Sequence, residues 1–405
     1  MLIAFVLVAV LGGVLTAGIV MPAVGAAGAV TSASTNLFEE LPTELEVPQA
    51  SEQSVILAGD GSHLATFYFE NRIVVPLEEI AQPMRDAVVA VEDRRFYEHN
   101  GVDTEGTARA LVENVFGDEL QGASTLTQQY VKNVLIEQGR IAGDEDAIAA
   151  ATETTISRKL REAKLAISLE QQVSKDAILT GYLNIAQFGP SHYGVESAAN
   201  YYFNKSAADL TIAESAMLAR ITQSPAKWDP VRNPENAKDG RDTVLGTMLR
   251  NGFITQEQFD EASAVPIEEM LDPQRTPRGC AVAGNAAYFC DYVVDEILGS
   301  EVFGETEDER RQLLNRGGLI IRTTLDRERQ ADAMAALTAE VPVNDPSGIK
   351  SALSSVEPGT GHILAMAQTT PYGRASEEQP GATEMNLNAG TDHGGGDGFQ
   401  TGSTF

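Results

Sequence analysis

Glu92-Asp93-Arg94-Arg95-Phe96-Tyr97-Glu98-His99-Asn100-Gly101 follows directly on an apolar run, Ala87 to Val91. The run predicts a helix over Pro76–Arg95 that delivers an acidic pair to its end. About thirty residues on stands Gly122-Ala123-Ser124-Thr125-Leu126-Thr127-Gln128-Gln129, a small polar turn opening a helical stretch. Between and beyond these blocks the apolar spacing is that of helices. Thr104–Phe116, Thr125–Glu137, Ala147–Gln172, Lys175–Ile185, Ser191–Phe203 and Ile212–Ile221 are predicted as such. After Pro225, Pro230 and Pro234 a further pair follows, near Ala237–Asn251 and Thr255–Ala264. The region is therefore expected to be mainly α.

Upstream, Val55–Val75 alternates around Gly59-Asp60-Gly61, the signature of a hairpin. Downstream the texture changes after Pro266. Asp308–Leu314 reads as helix, and Gly317–Asp326 as a glycine turn entering a strand. Ile349–Val356 and His362–Ala367 read as two strands, and residues 372–398 as a surface excursion.

The chain has 405 residues, a length that suits two or three domains. Its net charge of −29 argues against a nucleic-acid binder, which needs a broad basic surface. An anionic substrate would need a local cluster of cations. Five His and two Cys, without metal-ligand spacing, give no metal framework. Cys280 and Cys290 are either two unrelated core residues or a disulfide closing a short loop in an oxidising compartment. Residues 1–30 carry no charged side chain, and about 20 apolar residues span a bilayer. A retained membrane anchor is expected rather than a cleaved signal, with the charged remainder outside.

Glu92 at the end of an apolar helix has the placement of a general base, or is a surface acid paired with Arg94 or Arg95. Ser124, Thr125, Gln128 and Gln129 suit sugar hydroxyls or phosphate, or cap the next helix. Lys132 lies farther along that helix and could add positive charge. Arg158, Lys159 and Glu162 share one helix face. They are either an ordinary i,i+4 pair or a cationic clamp for a diphosphate beside a second carboxylate. A diphosphate leaving group needs positive charge rather than a proton donor.

Together the blocks resemble the family 51 peptidoglycan glycosyltransferases of class A penicillin-binding proteins. Glu92, Asp93, Phe96, His99 and Gly101 are similar to the family's first motif. Gly122 and Ser124–Gln129 resemble the second, with Ala123 where the family has Gly. Arg158, Lys159 and Glu162 resemble the third. Tyr182, Leu183, Asn184, Gly189, Gly194, Ala198, Ala199, Tyr202 and Phe203 resemble the fourth. A fifth lies around Ala216–Ala219 and Pro225. Phe399–Phe405 resembles the start of the transpeptidase nucleophile block, with Ser403 as nucleophile.

The resemblance implies a lysozyme-like α domain at the outer membrane surface, polymerising lipid II by inverting transfer with release of undecaprenyl pyrophosphate. Glu92 and Glu162 would be the catalytic carboxylates. Ser124, Thr125, Gln128, Gln129, Lys132, Arg158 and Lys159 would bind substrate. No covalent cofactor is expected, and the mechanism leaves room for a divalent cation. Expected partners are lipid II, the growing glycan strand, the membrane and cell-wall assembly proteins. The expected divisions are an anchor at 1–28, a linker at 29–54 and a glycosyltransferase domain at 55–255. An inter-domain linker at 256–330, holding the two cysteines, and an incomplete α/β transpeptidase domain at 331–405 follow. Ser403 would be inactive in this fragment. A lysozyme-like hydrolase and a non-catalytic cell-wall scaffold are the competing readings.

Overall fold

The computed structural model describes residues 41–106 and 124–396. The expected anchor at 1–28, most of the Thr104–Phe116 helix and Ser403 lie outside the described residues. Helix dominates. In chain order the helices used below are α1 (Gln82–Glu92), α2 (Leu126–Ala142), α3 (Glu145–Thr152) and α4 (Ile156–Glu170). α5 (Lys175–Ile185), α6 (Val195–Phe203), α7 (Ile212–Ile221) and α8 (Pro234–Arg250) follow. α9 (Ala287–Gly299), α10 (Glu307–Arg316) and α11 (Arg327–Glu340) complete the set. The strands are β1 (Ser54–Leu57), β2 (His63–Phe67), β3 (Asn71–Arg72), β4 (His192–Tyr193), β5 (Ile320–Arg322), β6 (Ala352–Val356) and β7 (Ile363–Gln368).

The chain divides into two units, Met1–Pro48 with Arg95–Ile178, and Gln49–Arg94 with Leu179–Phe405. In the first, α2 packs against α3 and α4. Leu126, Val131, Val134, Leu165 and Ala166 are buried there. The expected single helix Ala147–Gln172 is two helices. Thr155 turns extended and accepts from the Arg158 amide, so a new N-terminus starts where the period alone reads as continuous. Gly101 has φ +81°, and a Cβ there would lie 2.6 Å from the Ile167 nitrogen. Only glycine combines that backbone angle with that approach.

In the second unit α1, α7 and α8 pack on one another, burying Met84, Ala87, Val88, Met217, Leu218, Val244 and Leu245. Pro at the start of α1 and of α8 costs no helical hydrogen bond there. The expected hairpin forms, β1 antiparallel to β2, and β5 joins parallel on the other side of β1. The expected helix Ser191–Phe203 begins only at Val195, because β4 comes first and Gly194, at φ +79°, turns the chain. The Asn184 side chain clamps the backbone of Val75 from both sides, donating at 2.8 Å and accepting at 3.0 Å.

Ile56, Leu64, Ala65, Phe289, Leu325 and Met366 form a second core in this unit, with Cys280 and Cys290 joined by a disulfide within it. β6 and β7 pair antiparallel, and α11 packs on β7 through Ala333 and Leu337 against Ala365 and Ala367. Helix α9 was not among the helices expected from the sequence. Part of the expected surface excursion is instead packed: Asn386 is fully buried and donates to the Tyr288 carbonyl at 3.2 Å.

Candidate active site

The first unit holds the cationic residues. Capping by Thr155 fixes the start of α4, and helix geometry then aims Arg158 and Lys159 at Glu162, one turn on. Glu162 is 1% exposed. Its Oε1 accepts from the Arg158 guanidinium, and its Oε2 lies 3.2 Å from the Lys159 ammonium. Lys159 also donates to Ser124 Oγ at 2.7 Å, which ties α4 to the turn before α2. Lys132 comes from α2. Burial, helped by the charges of Arg158 and Lys159 and opposed by Glu162, holds its ammonium below the usual lysine range. Three cations around one carboxylate leave a positive excess, and an added anion would relieve it.

Behind these groups, Leu135, Ala142, Ala147 and Ala151 line a cleft of about 270 Å³, with Arg158 and Arg161 also on its wall. The polar row is engaged locally. Thr125 Oγ1 donates to the Gly101 carbonyl at 2.7 Å and accepts from the Gln128 amide at 3.2 Å. Gln128 Oε1 accepts in return from the Thr125 amide at 2.9 Å. The helix-capping reading of this pair is thus realised, while Gln129 stands half-exposed on the first turn. Thr127 donates to Glu170, which Lys175 also holds at 2.8 Å.

Glu92 belongs to the second unit and is the last residue of α1. The burial of Val88, Val89 and Ala90 against α7 and α8 fixes the helix end. Glu92 itself is half-exposed. The Gln223 amide donates to its Oε1 at 2.8 Å. Gln223 Oε1 in turn accepts from Arg220 at 2.5 Å. The Arg220 guanidinium lies over Trp228 at 4.3 Å, with the Lys227 ammonium at 4.2 Å from the same ring. Tyr182 is buried below. Burial first, then the charge of Glu92, pushes its phenol far above the usual range. Within the first unit, Arg95 pairs with Glu98 at 3.3 Å and Asp103 at 3.8 Å.

Sequence reading missed Gln223, Arg220 and Trp228. The available signal was the chain's one tryptophan in a proline-flanked turn, Ser224-Pro225-Ala226-Lys227-Trp228. Among the described residues, no group of three or more His, Cys, Asp or Glu is placed to hold a metal ion. Nor is any described helix long and apolar enough to cross a membrane.

Residues 60–249 match the protein family described as Transglycosylase. Penicillin-binding protein 2D of Bacillus subtilis is 34% identical over 349 residues, covering 84% of this chain and 46% of that protein. Penicillin-binding protein 1A of Mycolicibacterium smegmatis is 35% identical over 327 residues, covering 80% of this chain and 39% of that protein. A crystal structure of Penicillin-Binding Protein 1A from Haemophilus influenzae overlays with a TM-score of 0.36 at 20% identity, covering 73% of this chain and 30% of that one. The chain thus spans less than half the length of these relatives.

Proposed function

With residues 60–249 belonging to the transglycosylase family, we propose that the protein is a peptidoglycan glycosyltransferase that polymerises lipid II. On this reading the domain is lysozyme-like, and Glu92 takes the proton of the acceptor's GlcNAc 4-hydroxyl. That oxygen attacks C1 of the donor's MurNAc with inversion. The C1–O bond breaks, and undecaprenyl pyrophosphate leaves with the electron pair. Arg158, Lys159 and Lys132 hold the diphosphate, so no proton donor is needed. Glu162 keeps the two α4 cations in place. Ser124, Thr125, Gln128 and Gln129 line the sugar–phosphate region, the engaged pair Thr125 and Gln128 by shaping the turn.

The observation that carries this reading is the positive excess at Lys132, Arg158 and Lys159 in a chain of net charge −29. A hydrolase acting on neutral glycosidic bonds has no use for such a site, and a scaffold has none for Glu92. The apolar run at residues 1–30 supports a membrane anchor, and the Cys280–Cys290 disulfide an extracytoplasmic position. Cell-wall assembly proteins are proposed partners.

Purified lipid II incubated with the protein is expected to give polymer and free polyprenyl diphosphate. Cleavage of preformed glycan with no polymer would replace this reading with the hydrolase. A parallel reaction with chelator measures any contribution of a divalent cation.

A further inference from the structure

The proposed base sits at an awkward place. Glu92 ends α1, where the helix dipole disfavours a carboxylate, and its side chain is half-exposed. A side-chain donor reaches it from 131 residues away, the Gln223 amide at 2.8 Å from Oε1. A carboxamide can bond either way round. Here both neighbours forbid the flip: guanidinium only donates and carboxylate only accepts. With Arg220 at 2.5 Å from Gln223 Oε1, the amide nitrogen must face Glu92.

Arg220 is itself braced. Its guanidinium carbon lies over the Trp228 ring at 4.3 Å. A Cβ on Gly240 would come within 2.7 Å of Arg220 Cγ and 3.0 Å of Trp228 Cε3, so α8 needs glycine there to admit both side chains. The relay Trp228–Arg220–Gln223–Glu92 thus runs from a packed ring to the proposed base.

We propose that Gln223 is a positioning residue: its amide fixes the rotation of the Glu92 carboxylate, and with it the direction of the second oxygen toward the acceptor hydroxyl. The assignment rests on the glycosyltransferase reading. It involves no new bond. It sets the angle from which Glu92 meets the proton, and a misaimed base slows the chemical step rather than substrate binding.

The test is lipid II polymerisation by the full chain across pH, with thermal unfolding as the folding control. Gln223 is exposed, so its variants are expected to unfold within about 2 °C of wild type. Gln223→Leu is expected to lower kcat about 10-fold with KM within about 2-fold. Gln223→Glu sets a second carboxylate beside Glu92 and moves the acid limb of the rate profile up by about one pH unit. Gln223→Lys restores a donor, recovers much of the rate and moves that limb down. Trp228→Leu, which releases Arg220, lowers kcat in the same direction as Gln223→Leu but less. A wild type that makes polymer, with all three Gln223 variants sharing its kcat and pH profile, overturns the assignment alone. A wild type that makes no polymer overturns the reading of the site and this assignment with it.

Discussion

Two carboxylates, one in each unit, are held in opposite ways. Glu162 is 1% exposed and gripped by a guanidinium and an ammonium. Glu92 is half-exposed and bonded by a neutral amide. Accepting a proton at Glu162 would break two ion pairs and strand the buried Arg158 guanidinium. At Glu92 the bond from Gln223 comes from a neutral group, so protonation there breaks no ion pair with that partner. Similar side chains are therefore suited to different work: on the proposed reading, Glu162 organises charge and Glu92 exchanges a proton. A carboxylate's neighbours, more than its own chemistry, decide which of the two it does.

The sharpest way to break this contrast is to neutralise Glu92. Glu92→Gln is expected to cut polymerisation by about 10²–10⁴-fold, the usual worth of a general base, with thermal stability unchanged. Polymer at the wild-type rate would remove Glu92 from its role. Glu162→Ala should do the reverse in kind. Chemical denaturation is expected to show a loss of about 3–5 kcal/mol, because Arg158 is left buried without its partner. A variant as stable as wild type would mean that Glu162 is not an organiser of charge.

A third substitution asks whether either site leans on the distant core. Replacing Cys280 and Cys290 together by Ala is expected to cost about 2–3 kcal/mol of stability. At a temperature where the variant is folded, kcat should match wild type. A fall in kcat at that temperature would show that the core around the disulfide shapes the chemistry. The smallest effect concerns the cations alone. Inorganic pyrophosphate is expected to raise the melting temperature of wild type, and Lys159→Ala to weaken its binding about 10-fold in calorimetry, near 1.4 kcal/mol. Equal binding by both proteins would separate Lys159 from the diphosphate.

The grouping of Arg158, Lys159 and Glu162 was legible because it depends only on the helical period, which is local. The β1–β2 hairpin was legible for the same reason, from its turn residues. The break between α3 and α4 was harder to read. Thr155 could continue a helix or cap one, and the period does not distinguish the two. Helix α9 was not read from the sequence, although Asp291, Asp295 and Glu296 lie at helical spacing along it. β5 was legible as a strand but its partner was not, since pairing with β1 joins residues about 265 apart.

The sequence by itself determined the order of the candidate polar and charged blocks, and that helices would present most of them. Those properties follow from covalent neighbours and from the period of the helix. Tertiary structure alone decided what each group touches. It set Lys159 on Ser124, 35 residues away, and Gln223 on Glu92, 131 residues away. Hydrogen bonds and ion pairs act over a few ångströms and take no account of distance along the chain. Packing therefore decides which carboxylate is locked between cations and which is half-exposed beside a neutral amide.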